Sequence, residues 1–107
     1  WRSYWAQRVL WEIDSHLMFG APSVYQDRNE HNYLDDFLDE DALYADAGRL
    51  ASHLMLWKST KPHLFDRIMD CIASMIDHDF MGPSDAFLTE AWLSDLHSFG
   101  YIPPKPI

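Results

Sequence analysis

The residues most able to do chemistry by their type and spacing lie between Glu30 and Asp46. Glu30, Asp35, Asp36, Asp39, Glu40, Asp41 and Asp46 fall in this stretch with no Lys or Arg among them, so it holds −7 of the chain's formal charge of −9. The simplest reading is a solvated face eased by a helix dipole. Two features argue for more. Like charges at i, i+4, as in Asp35/Asp39 and Asp36/Glu40, cost a helix about 0.2 to 0.5 kcal/mol per pair. Tyr33, Phe37 and Tyr44 are interleaved with the carboxylates, and aromatic side chains are the usual anchors of protein interfaces. A patch of this kind attracts a basic partner, whose binding relieves the internal repulsion. The expected partner-binding residues are therefore Tyr33, Asp35, Asp36, Phe37, Asp39, Glu40, Asp41, Tyr44 and Asp46.

A second chemistry would need a metal. The chain has six histidines, His16, His31, His53, His63, His78 and His97. The densest local cluster is Asp77-His78-Asp79, and His78 with Asp79 forms the alternative metal site. A His-Asp pair resembles part of the ligand set of metal-dependent phosphohydrolases of the HD type. That resemblance implies a further upstream His and a downstream Asp, for which His53 or His63 and Asp95 can be nominated, at spacings shorter than the family's. Glu12 with His16 and His31 with Asp35 also have i, i+4 spacing on one helix face, without the rest of any known signature. The sequence has no HExxH, CxxC, EF-hand loop, P-loop or GxGxxG. With 4 Gly in the chain, a backbone cradle for phosphate is not expected, and neither is any cofactor.

The elements that must position these groups read as helices, because nothing alternates apolar and polar residues for long enough to make a strand. The spacing predicts a first helix over about Ser3 to Phe19, stopped by Gly20 and Pro22. Trp5, Val9, Leu10, Ile13 and Leu17 share its main arc, while Tyr4, Trp11 and Met18 lie on the other side as a second candidate surface. The pattern resumes from Glu30 to Trp57 with a break near Asp39 to Asp41, because adjacent carboxylates favour a cap. Leu43, Ala47, Leu50, Leu54 and Trp57 form its later stripe. Leu64, Phe65, Ile68, Met69, Ile72, Met75 and Ile76 define the clearest amphipathic helix, with Arg67 on its outer face. After Gly82 and Pro83, a last helix would turn Phe87, Leu88, Ala91, Trp92, Leu96 and Phe99 inward and end at Gly100. The tail from Tyr101 to Ile107, with three prolines, is either a strap or a loose end. The fold class is all-α, a bundle of four to five helices with an extended proline-rich tail, in one domain over residues 1–107.

Composition narrows the function. The chain has 107 residues, 8 Lys+Arg against 17 Asp+Glu, and is 48% hydrophobic. One domain of this length buries enough surface to fold without a staple. Net acidity disfavours direct binding to nucleic acid or to an anionic membrane. The single cysteine, Cys71, excludes an intramolecular disulfide and reads as a small buried hydrophobe. No apolar run is long enough to span a membrane and no signal peptide is visible, which makes the cytoplasm the default, although the chain opens on Trp1 rather than Met. The reading with most support is a non-enzymatic, acidic binding module that neutralises a basic protein. An immunity or antitoxin-type inhibitor of a toxin or nuclease has this logic, by class analogy alone. The alternatives are a hydrolase centred on His78 and Asp79, and a structural or oligomeric subunit associating through the Trp11 face.

Overall fold

The computed structural model describes residues 1–30 and 32–107. Among the described residues there are five helices and no strand: α1 (Arg2–Trp11), α2 (Tyr33–Asp39), α3 (Asp41–Leu56), α4 (Leu64–Asp77) and α5 (Pro83–Ser98). The all-α expectation holds. α1 packs on both α3 and α4, α4 packs on α5, and α2 touches only α3. No helix is long and apolar enough to cross a membrane.

Two clusters make the core. Leu50 and Leu54 of α3, with Trp57 just beyond it, meet Cys71 and Met75 of α4 and Phe80, and Trp1, Tyr4 and Trp5 close over them. Leu64 and Ile68 of α4 meet Leu93 of α5, flanked by Val9, Ile13, Phe65, Met69 and Leu96. The stripes expected for α3 and α4 are therefore the stripes that are buried. Leu50, Cys71 and Met75 have no exposed surface at all. Burial pushes the Cys71 thiol up to about 12, which makes it an inert core group.

The helix ends explain where expectation and structure part. α1 stops about two turns before Phe19. Asp14 adopts a left-handed conformation (φ 55°), and the Ser15 N–H returns to the Leu10 carbonyl at 2.9 Å. α4 closes in the same way on Asp79 (φ 60°), with the Phe80 N–H on Met75 O at 2.9 Å. α5 closes on Gly100 (φ 78°), with the Tyr101 N–H on Leu96 O at 3.0 Å. Each is a left-handed cap that satisfies carbonyls a helix would otherwise leave unpaired. Asp serves in two of them because its short polar side chain tolerates the left-handed region better than most.

Beyond the α1 cap, residues 16–30 are exposed and carry no helix, and α2 buries none of its residues. The radius of gyration is 16.2 Å, above the roughly 13 Å of a chain this length packed around one core.

The proline tail is a strap. Tyr101 stacks on Phe65 with ring planes 10° apart and centroids 6.3 Å apart, and the Ile107 N–H bonds the Glu12 carbonyl at 2.8 Å. Gly100 is where the chain turns to begin it. An added Cβ there would meet nothing within 4 Å, so the cost of Gly100→Ala is conformational alone. It should amount to about 1 kcal/mol in urea unfolding, whereas Gly48→Ala, also in open space but within α3, should stabilise by a similar amount.

Candidate functional site

The most demanding chemistry in the fold is a buried charge network. Arg8 and Glu12, one turn apart on and just beyond α1, are 8% and 6% exposed. Arg8 Nη1 pairs with Glu12 Oε1 at 2.6 Å, and Arg67 of α4 donates to the other carboxylate oxygen. Arg8 Nε and Nη2 donate to the carbonyls of Leu54 (3.0 Å) and Trp57 (2.9 Å), at the C-terminal end of α3. Those carbonyls carry the negative end of the helix dipole, so a cation there is favourable. The Arg8 guanidinium also lies over the Trp57 ring, 4.8 Å from its centroid, and 5.6 Å from that of Trp11. Arg67 Nε reaches Lys61 O at 2.8 Å and its Nη1 reaches Ile107 O at 3.0 Å. With these partners, each buried charge has its hydrogen bonds made, the condition under which burial is tolerated. Sequence reasoning passed over this network and placed Arg67 outside. The available signal was the i, i+4 pair Arg8/Glu12 on a face that also carries Trp1, Tyr4 and Trp5.

His53 and His78 do come together, though not as metal ligands. Their rings are 4.2 Å apart at 43°. His53 Nε2 shares a hydrogen bond with the Ser74 hydroxyl at 3.0 Å, and His78 Nδ1 contacts Ser74 O at 2.8 Å, where it acts as donor. Arg49 donates to His78 O at 2.8 Å and lies 4.0 Å over the Phe80 ring. Burial, the His78 ring and the Arg49 charge all hold His53 below its ordinary value of 6.5. Asp79 is occupied as the left-handed cap of α4. Among the described residues no three His, Cys, Asp or Glu side chains are placed to hold a metal ion. The pair of His31 with Asp35 includes His31, which lies outside the described residues.

The acidic-aromatic stretch folds into α2, the Glu40 junction and the first turns of α3. Asn32 caps α2, its side-chain oxygen accepting the Leu34 N–H at 3.0 Å. Tyr33, Asp35, Asp36, Phe37 and Asp39 lie on α2, Glu40 at the junction, and Asp41, Tyr44 and Asp46 on α3. Phe37 and Tyr44 pack at 5.3 Å, and the Tyr44 hydroxyl donates to Glu40 at 3.4 Å. Arg28 joins Tyr33, Phe37, Glu40 and Tyr44 around a shallow groove of about 530 Å³. Asp46 pairs with Arg49 at 3.1 Å. Tyr33, Leu34, Phe37, Leu38 and Tyr44 remain 55–79% exposed.

Of the second expected surface, Tyr4 and Trp11 lie on α1 and Met18 lies beyond its end. Tyr4 packs at the core edge with Trp1, Trp11 lies beside Arg8, and Met18 stands 88% exposed beyond the early end of α1.

α5 supplies a feature that was not foreseen. Leu93 is its buried residue, while Phe87, Leu88, Trp92 and Phe99, expected inward, are 49–88% exposed. The apolar residues of this helix spread over too much of its circumference to define one stripe, and the neighbouring α4 selects the Leu93–Leu96 side. Trp92 and Leu88 instead border a groove of about 420 Å³ with Arg2 and Trp5 of α1 and Asp85 and Thr89 of α5. Asp85 Oδ2 accepts the Gly82 N–H at 3.0 Å, and the Thr89 hydroxyl donates to Asp85 O at 2.8 Å, which fixes the first turns of α5. An adjoining hollow of about 350 Å³ continues past Arg2 and Asp85 to Trp1 and Asp79.

The family model of the STELLO glycosyltransferases matches residues 1–107 of the chain. The chain is 36% identical over 104 residues to the probable glycosyltransferase STELLO2 of Arabidopsis thaliana, and 33% identical over 104 residues to the probable glycosyltransferase STELLO1 of the same plant. Each match covers 97% of this chain and 13% of the relative, so the chain spans a small part of the length of these curated relatives. No solved structure matches. The chain therefore belongs to the STELLO glycosyltransferase family. This overturns the reading as an immunity or antitoxin-type inhibitor, the hydrolase alternative, and the expectation of a non-enzyme. Acidity and size had selected a class of partner, and neither property specifies a reaction.

Two predictions follow from the buried groups. Glu12→Leu leaves two guanidiniums without their shared carboxylate and should cost about 3–5 kcal/mol in chemical unfolding; a loss below about 1 kcal/mol would mean that water replaces the pair. His53 binds protons less readily when folded than when unfolded. Stability is therefore full above about pH 6.5 and falls as pH drops from there toward the depressed folded value. Urea midpoints at about pH 7.5 and 5.5 should differ more for the native chain than for His53→Gln.

Proposed function

We propose that this chain works as the helical section of a glycosyltransferase and that its groove between α1 and α5 faces the carbohydrate substrate. The observation that carries this reading is the pairing of a family match over the whole chain with a concave site of about 420 Å³ bordered by Trp5, Trp92, Arg2 and Asp85. That volume lies within the range of small-molecule sites, and the mixture of apolar wall and few polar groups is what such sites use. A sugar ring has an apolar C–H face and a rim of hydroxyls, so an indole plate beside carboxylate and guanidinium groups suits both. The buried Arg8–Glu12–Arg67 network supports the reading in a second way. It fixes α1, which carries Arg2 and Trp5, against α3 and α4, and rigid support is what a positioned binding surface requires.

The acidic-aromatic surface of α2 and early α3 suits a different role within the same protein, the docking of a basic protein segment. The exposed Phe37–Tyr44 pair favours it, because a solvated face alone gives no reason to leave packed aromatic rings uncovered. Charge reversal at Asp36, Asp39 and Glu40 together should slow association with such a partner and remove its salt dependence. Unchanged kinetics at low salt would leave this surface a solvated face.

The groove is tested in the protein that carries this segment. Filling it by Thr89→Phe should lower the rate of sugar transfer at least about tenfold while leaving the melting temperature within about 2 °C. Unaltered transfer by a folded Thr89→Phe protein would remove the groove from the reaction.

A further inference from the structure

Resting on the reading of the α1–α5 groove as carbohydrate-facing, we infer that it takes a neutral saccharide, the acceptor side of the reaction, and not a nucleotide-linked sugar. The charges decide this. Along the groove and its adjoining hollow the ionisable side chains are Arg2, Asp79 and Asp85, two carboxylates against one guanidinium. A nucleoside diphosphate would add two negative charges to a region that is already net negative. Phosphate recognition instead uses clustered cations or a run of backbone N–H donors, and the start of α5 has its Gly82 N–H already taken by Asp85 Oδ2.

The same groups suit hydroxyls. Asp85 Oδ1 has no hydrogen-bond partner among the described residues, whereas Oδ2 is held by Gly82, so the carboxylate is oriented with one oxygen left to accept. Arg2 has no ion-pair partner among the described residues and, like Asp85, lines both the groove and the hollow. Indoles mark the two ends: Trp92, 49% exposed, with Trp5 in the groove, and Trp1 in the hollow. Trp92 is the stacking platform, Asp85 accepts from ring hydroxyls, and Arg2 donates to them. Aromatic plates separated by polar groups suit a chain of linked sugar rings better than a single ring.

The test uses the full chain, titrated with neutral hexasaccharides of mannose, glucose and galactose and, separately, with UDP-glucose. The readouts are calorimetry and the indole N–H resonances of its five Trp residues. At least one neutral hexasaccharide should bind and shift Trp92 and Trp5 while leaving Trp57, beneath Arg8, unmoved. Trp92→Ala should weaken that binding about tenfold or more and Asp85→Asn about threefold or more, with melting curves confirming that both variants fold. No binding by any of the three hexasaccharides overturns the inference, as does binding that persists in Trp92→Ala. Tighter binding of UDP-glucose at Trp92 overturns it as well and makes the groove a donor site, which leaves the proposed function standing. Neutral-saccharide binding that meets these criteria, in a protein whose transfer rate ignores Thr89→Phe, would mark a saccharide site outside the reaction and overturn both the acceptor assignment and the proposed function.

Discussion

One carboxylate shared by two guanidiniums holds this fold in register. Glu12 receives Arg8 from its own helix and Arg67 from α4, and the two arginines spend their remaining donors on backbone carbonyls of Leu54, Trp57, Lys61 and Ile107. Four segments that share no sheet and little sequence proximity are thereby joined: α1, the end of α3 with the link after it, α4, and the terminal strap. α1 has ten residues, too few to be stable alone in water, where helices shorter than about 12–15 residues are marginal. The apolar side chains on and beside it, Trp1, Tyr4, Trp5, Val9 and Ile13, are only partly buried. The network and the Trp57 face under Arg8 supply the specificity of placement that such a short element cannot derive from apolar area. Since Arg2 and Trp5 ride on the same helix, the groove beside α5 inherits its geometry from this arrangement.

How much of this was legible in the sequence depended on how much each helix buried. α4 lies against both α1 and α5, and its stripe from Leu64 to Ile76 could be read directly, because burial on a wide face imposes a clean period. α3 behaved likewise from Leu43 to Trp57. α5 packs on α4 alone, so most of its circumference escapes that constraint, and its apolar residues pointed to the wrong side. The early stop of α1 was hidden for another reason. Asp14 is a weaker punctuation mark than Gly20, and the left-handed cap it forms depends on what the following residues can reach. Buried Arg8 and half-buried Arg67 were invisible to any reading that sorts residues into apolar inside and charged outside. Arg67 lies on the polar side of α4 by periodicity, and it is the Glu12 carboxylate from another helix that draws it in.

The candidate sites divide along the same line. The acidic-aromatic residues stand where the pattern put them, on α2 and early α3, because the Asn32 cap and the carboxylates that mark these elements are local signals. Of the two histidines nominated beside His78, His53 is the one that lies next to it, with Ser74 between them and Asp79 committed to ending α4. The groove of Trp5, Asp85 and Trp92 required three helices to be placed before it existed. Family membership alters the meaning of every surface: exposed aromatics that suit anchors for a foreign protein suit sugar rings as well.

The central claim is that Arg8 and Arg67 are fixed structural donors rather than solvated side chains. Nitrogen-edited NMR of the native chain reads this directly through their Nε–H groups, which the structure bonds to Leu54 O and Lys61 O. The account predicts two resolved Nε–H resonances, with that of Arg8 exchanging with solvent as slowly as the core amides of α4, because its release requires α1 to leave α3. An Arg8 Nε–H that exchanges as fast as those of the exposed arginines Arg2 and Arg28, while the α4 amides stay protected, would contradict it.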